Sequence, residues 1–114
     1  MIAYVRELAA QARAIKADAA IVVQNAEELL NSDSYVAAID AIAKEDLITG
    51  ANHSGNRNPS GMVSSSVGLL KRAKAKGKAV FVVEYVSAGS ASSVAGEIRR
   101  LGFVPNFAGR SLSN

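Results

Sequence analysis

The sequence predicts an α/β domain in which a helix–strand unit repeats four times around four parallel strands. Three observations carry this. Short apolar runs such as "AAIVVQN" and "KAVFVVEY" read as strands. Segments with apolar residues at helical spacing lie between them. Each run ends on polar residues: Gln24 and Asn25, Glu45 and Asp46, Glu84 and Tyr85, and Asn106. Runs that are apolar throughout suit strands covered on both faces. Their alternation with helices implies parallel pairing through right-handed crossovers.

The first helix is predicted over residues 2–16, where Ile2, Val5, Leu8, Ala9, Ala12 and Ile15 form one stripe. A strand follows near 19–24. "AEELL" is a helical turn, and "SDSYVAAI" adds another with Ser32 or Asp33 as its cap. "IDAIAKED" is rich in alanine, so its place between helical segments assigns a strand near 39–45. The polar stretch "ITGANHSGNRNPSG" is a long loop, a kind often functional in compact domains. Met62, Val63, Val67, Leu70 and Ala73 define the next helix, ended near Gly77. A strand near 79–85 is the clearest in the chain. Ser92 or Ser93 is expected to cap a helix carrying Val94, Ile98 and Leu101, closed by Gly102. The last strand is predicted near 103–106, with Pro105 at its end.

Residues 1–114 suit a single domain, and 49% hydrophobic content argues against disorder. There is no cysteine, which excludes disulfides and thiolate metal sites. The net charge of +3 is concentrated in "KRAKAKGK", residues 71–78. A solvated helix end accounts for that run, because cations are favoured at helix C-termini. Phosphate binding is the alternative. No aromatic residue is interleaved for stacking on bases, so no nucleic-acid partner is expected. No apolar run approaches the ~20 residues that span a bilayer, so no membrane partner is expected. The N-terminal stretch lacks a basic and then an unbroken apolar region, making cytoplasm the expected compartment unless a leader was removed upstream.

No cofactor is expected. "GSASSVAGE" matches neither the phosphate-loop nor the dinucleotide pattern. Asp40, Glu45, Asp46 and Glu84 show no metal-ligand spacing. Ser64–Ser66 have no paired histidine, and His53, the only histidine, reads as a solvent-exposed loop residue.

The polar strand ends remain. In parallel α/β sheets, ligands bind outside the carboxyl ends of the strands. A strand that leaves the core turns polar in any case, but two glutamates beside two amides at that edge point to a site. Glu45 and Glu84 are the candidate catalytic pair, since paired carboxyl groups serve glycoside hydrolysis. Gln24, Asn25, Asp46, Tyr85 and Asn106 are candidate substrate-binding residues, able to hydrogen-bond sugar hydroxyls. Glu45 and Glu84 are expected to share one solvent-reachable pocket with Gln24, Asn25 and Tyr85.

The succession "IVVQNAEELL", "AIDAIAKEDL", "GANHS", "GKAVFVVEYV" and "IRRLGFVP" resembles the glycoside hydrolase family 114-like proteins, relatives of endo-α-1,4-polygalactosaminidase. The resemblance covers the chain but only the C-terminal half of the family's (β/α)8 barrel. It implies a (βα)4 half-barrel, with a flavodoxin-like layered sheet as the alternative. It also implies that Glu45 matches the family's acid/base glutamate and that Glu84 lines the same pocket. The aspartate expected after the fourth barrel strand has no counterpart here. Weak glycosidase activity on an oligosaccharide is the expected function; a non-catalytic scaffold or an anion-binding module are the alternatives. Half a barrel leaves two open sheet edges, so a homodimer closing eight strands is expected.

Overall fold

The computed structural model describes residues 2–51 and 56–108. Helix α1 (Ile2–Ile15) precedes strand β1 (Val22–Gln24). A 3-10 turn (Glu27–Asn31) and helix α2 (Asp33–Ala38) lead to β2 (Ala41–Glu45). Helix α3 (Ser60–Ala75), β3 (Ala79–Glu84), α4 (Ala88–Arg100) and β4 (Val104–Phe107) complete the chain. The four strands form one sheet in the order β1-β2-β3-β4, and every pair is parallel. This is the half-barrel expected from the sequence. The flavodoxin-like alternative is not adopted, because such sheets reverse their strand order.

Local chemistry accounts for most boundaries. Ser32 starts α2 by accepting the Tyr35 backbone N–H on its hydroxyl at 3.4 Å. Gly102 ends α4 at φ +86°, where a Cβ would come within 2.6 Å of the Lys74 side chain. The α4 start differs from expectation. It lies at Ala88, with Ser87 at the N-cap position, rather than at Ser92 or Ser93. Its first turn is Ala, Gly and Ser, which carry no apolar stripe, so periodicity alone placed the start too late.

The sheet has two unlike faces. Strand alternation sends Ile42, Val80 and Val82 to the helix side, where they join Leu30, Tyr35, Ile39, Leu70 and Ile98 in the core. The other face carries Val22, Gln24, Ala43, Glu45, Phe81, Val83, Val104 and Asn106 by register. None of these eight belongs to the buried core cluster. The sheet is therefore unclosed, with helices covering one side.

At the bottom of the sheet, Asp40 accepts the Ile21 backbone N–H at 2.6 Å and an Arg13 N–H at 2.9 Å. The backbone bond first, and Arg13 second, hold its carboxyl below the ordinary aspartate value. These contacts tie the end of α1 and the entry to β1 to the start of β2. Leu70, fully buried, fills the space between α3 and the sheet. Leu70→Ala is expected to cost about 2–5 kcal/mol by leaving a cavity. Urea unfolding should show a lower midpoint at unchanged slope.

Candidate functional site

Glu45 is the last residue of β2 and sits at the mouth, half-buried. Asn25, just past β1, grips it twice. The Asn25 side-chain amide donates to Glu45 Oε2 at 3.1 Å, and its carbonyl accepts the Glu45 backbone N–H at 2.9 Å. The Tyr85 hydroxyl donates to Glu45 Oε1 from β3's end. Both carboxylate oxygens are thus oriented by side chains from neighbouring strands. Asn25, Ala26 and Asp46 have φ of 57°, 55° and 54°, a left-handed conformation uncommon outside glycine. These are the only positive-φ non-glycine residues among those described, and all lie at the exits of β1 and β2. Clustered backbone strain of this kind is typical of functional sites.

Glu45, Asn25, Asp46, Lys44 and Ser66 line a cavity of about 270 Å³. Tyr85 lines an adjoining one of about 480 Å³ with Thr49, Arg57, Ser87, Ser90 and Ser93. The Glu45–Tyr85 hydrogen bond therefore stands between two openings on the same edge. Gln24 and Asn106 lie on the open face, on the two outer strands, and are exposed. They flank this arrangement without lining either cavity.

Glu84 corrects the expectation of a shared pocket. The register pairs Glu45 with Val83, so Glu84 is out of phase and points to the helix side with Val80 and Val82. It is completely buried. Its Oε2 accepts the backbone N–H groups of Leu47 and Ile48 at 2.8 and 3.1 Å. Its Oε1 accepts the Thr49 N–H at 3.0 Å and the Thr49 hydroxyl at 2.9 Å. A carboxylate so enclosed fixes the segment leaving β2; it does not meet a substrate in this geometry. Asn58 continues the clamp by donating to the carbonyls of Asp46 and Leu47 at 2.8 and 2.9 Å. Arg57 then ties the loop to α4 through two 2.8 Å bonds to Glu97. Those bonds hold the Glu97 carboxyl below its ordinary value and raise Arg57. His53 lies outside the described residues.

One polar network escaped the sequence reading. Glu27, in the 3-10 turn and nearly buried, pairs with Lys44 at 3.0 Å and accepts the Ser66 hydroxyl at 3.0 Å. It joins the turn, β2 and α3 beneath the Glu45 cavity. The only sequence signal is a lysine inside an apolar strand, which calls for a buried counter-charge. Among the described residues, no group of three or more His, Cys, Asp or Glu could hold a metal ion. No helix among them is long and apolar enough to cross a membrane.

With strand-end carboxylate, tyrosine and amides gathered at one mouth, the comparison with known proteins is decisive. The model of glycoside-hydrolase family GH114 matches residues 1–114. The chain belongs to this family. It is similar to an uncharacterized protein of Deinococcus radiodurans, 33% identical over 114 residues covering 98% of this chain and 36% of that one. Its fold is similar to the glycoside hydrolase domain of PelA from Pseudomonas aeruginosa, with TM-score 0.72 and 18% identity. That match covers 96% of this chain and 45% of the PelA domain chain. The chain thus spans less than half the length of either of these matches.

The clamp and the Glu27 network give two expectations. Glu84→Gln keeps the shape but turns an NH₂ group toward backbone donors, and should cost about 2–4 kcal/mol from lost charge-assisted bonds and a buried mismatch. Chemical denaturation measures this; a loss under ~0.5 kcal/mol would contradict the clamp. For Glu27, burial alone raises the pKa, but the Lys44 hydrogen bond, its own backbone N–H, the Lys44 charge and Ser66 outweigh it and leave it below 4.5. A depressed folded value means that its stabilisation is complete above 4.5 and lost as pH falls through that folded value. Glu27→Gln should therefore be less stable than wild type at neutral pH, with the gap closing in acid unfolding titrations below 4.5.

Proposed function

We propose that this chain is the catalytic-edge half of a glycan-cleaving barrel, with Glu45 as its general acid/base. The observation that carries this is the placement of Glu45 at a strand carboxyl end. There it borders an open cavity and both its oxygens are aimed by Asn25 and Tyr85. A proton-transferring carboxyl group needs a fixed direction and access to the leaving oxygen. Asn25 and Tyr85 supply the first; the cavity supplies the second. Membership of GH114 and the PelA-like fold support the same chemistry.

The proposed substrate is a galactosamine-containing glycan. Glu45 and Asp46 face the cavity, while the cation that also lines it, Lys44, is paired with Glu27. That balance suits a sugar carrying an amino group. Asn25 and Asp46 border the position a sugar hydroxyl or ammonium would take. Gln24 and Asn106, exposed on the outer strands, would bind a longer chain on the flanks. Tyr85 lines the neighbouring opening and, through its bond to Glu45, would separate sugar units on either side of the bond to be cleaved. Glu84 takes no part in proton transfer in this reading; it positions the segment that carries Asp46.

Hydrolysis of an α-1,4-linked galactosamine oligosaccharide should be measured for wild type and Glu45→Gln. The amide cannot exchange the proton, so activity should fall about 10²–10⁴-fold with the fold intact. Equal rates in the two proteins would remove Glu45 from the mechanism. Binding of the oligosaccharide by wild type with no cleavage would identify a binding module instead.

A further inference from the structure

We propose that Met62 is the apolar platform of the sugar site beside Glu45, covering the C–H face of a ring bound there. This rests on the glycan reading of the Glu45 site and adds the side chain that supplies its nonpolar contact.

The placement carries the proposal. A lone exposed apolar residue is ordinary on a protein surface. Met62 differs because it is 47% exposed and lines the same cavity as Glu45, Asn25 and Asp46. Leu47, the other large apolar residue of that cavity, is buried. Met62 is therefore the large apolar surface that a ligand entering this cavity can touch.

Core packing does not account for this position. On α3, Leu70 and Ala73 belong to the core cluster, and Val63 and Val67 pack against it. Met62 precedes that stripe by one residue, about 100° around the helix, and belongs to neither group. It shares a face instead with Ser66, four residues on. Ser66 lines the same cavity and donates its hydroxyl to Glu27 at 3.0 Å. That bond holds this face of α3 toward the exit of β2. Asn58, two residues before α3, binds the carbonyls of Asp46 and Leu47 at 2.8 and 2.9 Å. The first turn of α3 and the segment after Glu45 are thus tied to each other.

The chemistry fits a sugar ring. A sugar carries hydroxyls around its rim and C–H bonds on its faces. The carboxyl, amide and hydroxyl groups of the cavity can meet the rim. A face needs apolar cover, and binding sites normally combine a few polar groups with such lining. The chain has no tryptophan to provide it, and the Tyr85 hydroxyl is held by Glu45. A methionine side chain is polarizable and adaptable, so it can follow a ring surface. In a galacto-configured ring, the axial oxygen at position four leaves the neighbouring C–H bonds together on the opposite face. One unbranched apolar side chain can cover a patch of that size.

The test is the affinity of wild type, Met62→Ala and Met62→Leu for an α-1,4-linked galactosamine oligosaccharide, by isothermal titration calorimetry. Met62→Ala should bind about tenfold more weakly. Met62→Leu keeps the apolar volume and should stay within about threefold of wild type. In hydrolysis, Met62→Ala should raise KM by a similar factor at unchanged kcat, because the contact is the same in the ground and transition states. The side chain is exposed, so the urea midpoint should not move. Equal affinity in wild type and Met62→Ala overturns the proposal, as does an equal loss in Met62→Ala and Met62→Leu. A wild type that binds but ignores the loss of Met62 leaves the role proposed for Glu45 standing. A wild type that does not bind the oligosaccharide overturns the glycan reading and this proposal together.

Discussion

A single buried carboxylate organises the strand-end edge that carries Glu45. Glu84 ends β3 inside the protein, where an unpartnered carboxylate would be strongly unfavourable. It is tolerated because the chain leaving β2 turns three successive backbone N–H groups and one hydroxyl onto it. The dependence runs both ways. Those N–H groups would otherwise be buried donors without acceptors, and the turn that offers them requires Asp46 at φ 54°. Strain at Asp46 and desolvation at Glu84 are offset by the same four hydrogen bonds. Glu45, one residue before Asp46, takes its position from this arrangement.

Strand parity then separates structure from chemistry. Glu45 and Glu84 stand at equivalent ends of adjacent strands but on opposite faces, because Glu45 registers with Val83. The residue in phase with Glu45 is Tyr85, and it is Tyr85 whose hydroxyl meets the carboxylate. One step along the strand decides which carboxyl group borders a cavity and which anchors a loop.

That step was the part least legible in the sequence. The strands and helices could be read because their apolar runs and stripes alternate plainly, and the observed strands fall within a few residues of expectation. The strand-end edge could be read too, and it brings Asn25, Glu45 and Tyr85 together. The face of each residue could not, since "AVFVVEY" is apolar at every strand position before Glu84 and shows no period-two pattern. Only pairing partners from β2 set the phase. Glu27 was obscure for a related reason: its partners Lys44 and Ser66 are 17 and 39 residues away, and no local spacing links them. The left-handed Asn25 and Asp46 do carry a faint signal, because Asn and Asp tolerate that conformation better than most residues.

The bonds that shape the mouth all arise within this one half. Asn25, Tyr85 and Glu84 belong to β1 and β3 or their exits, and each acts on β2 or the segment after it. The Glu45–Tyr85 bond lies on the open face, but it needs no group from beyond this sheet. The helix-side core likewise reaches full burial at Ile42, Val82 and Leu70 without any cover on the opposite face. A (βα)4 unit can therefore hold the edge around Glu45 in order while its inner face stays uncovered. Anything that covers the inner face would meet Glu45 already oriented by Asn25 and Tyr85 rather than assemble this edge anew.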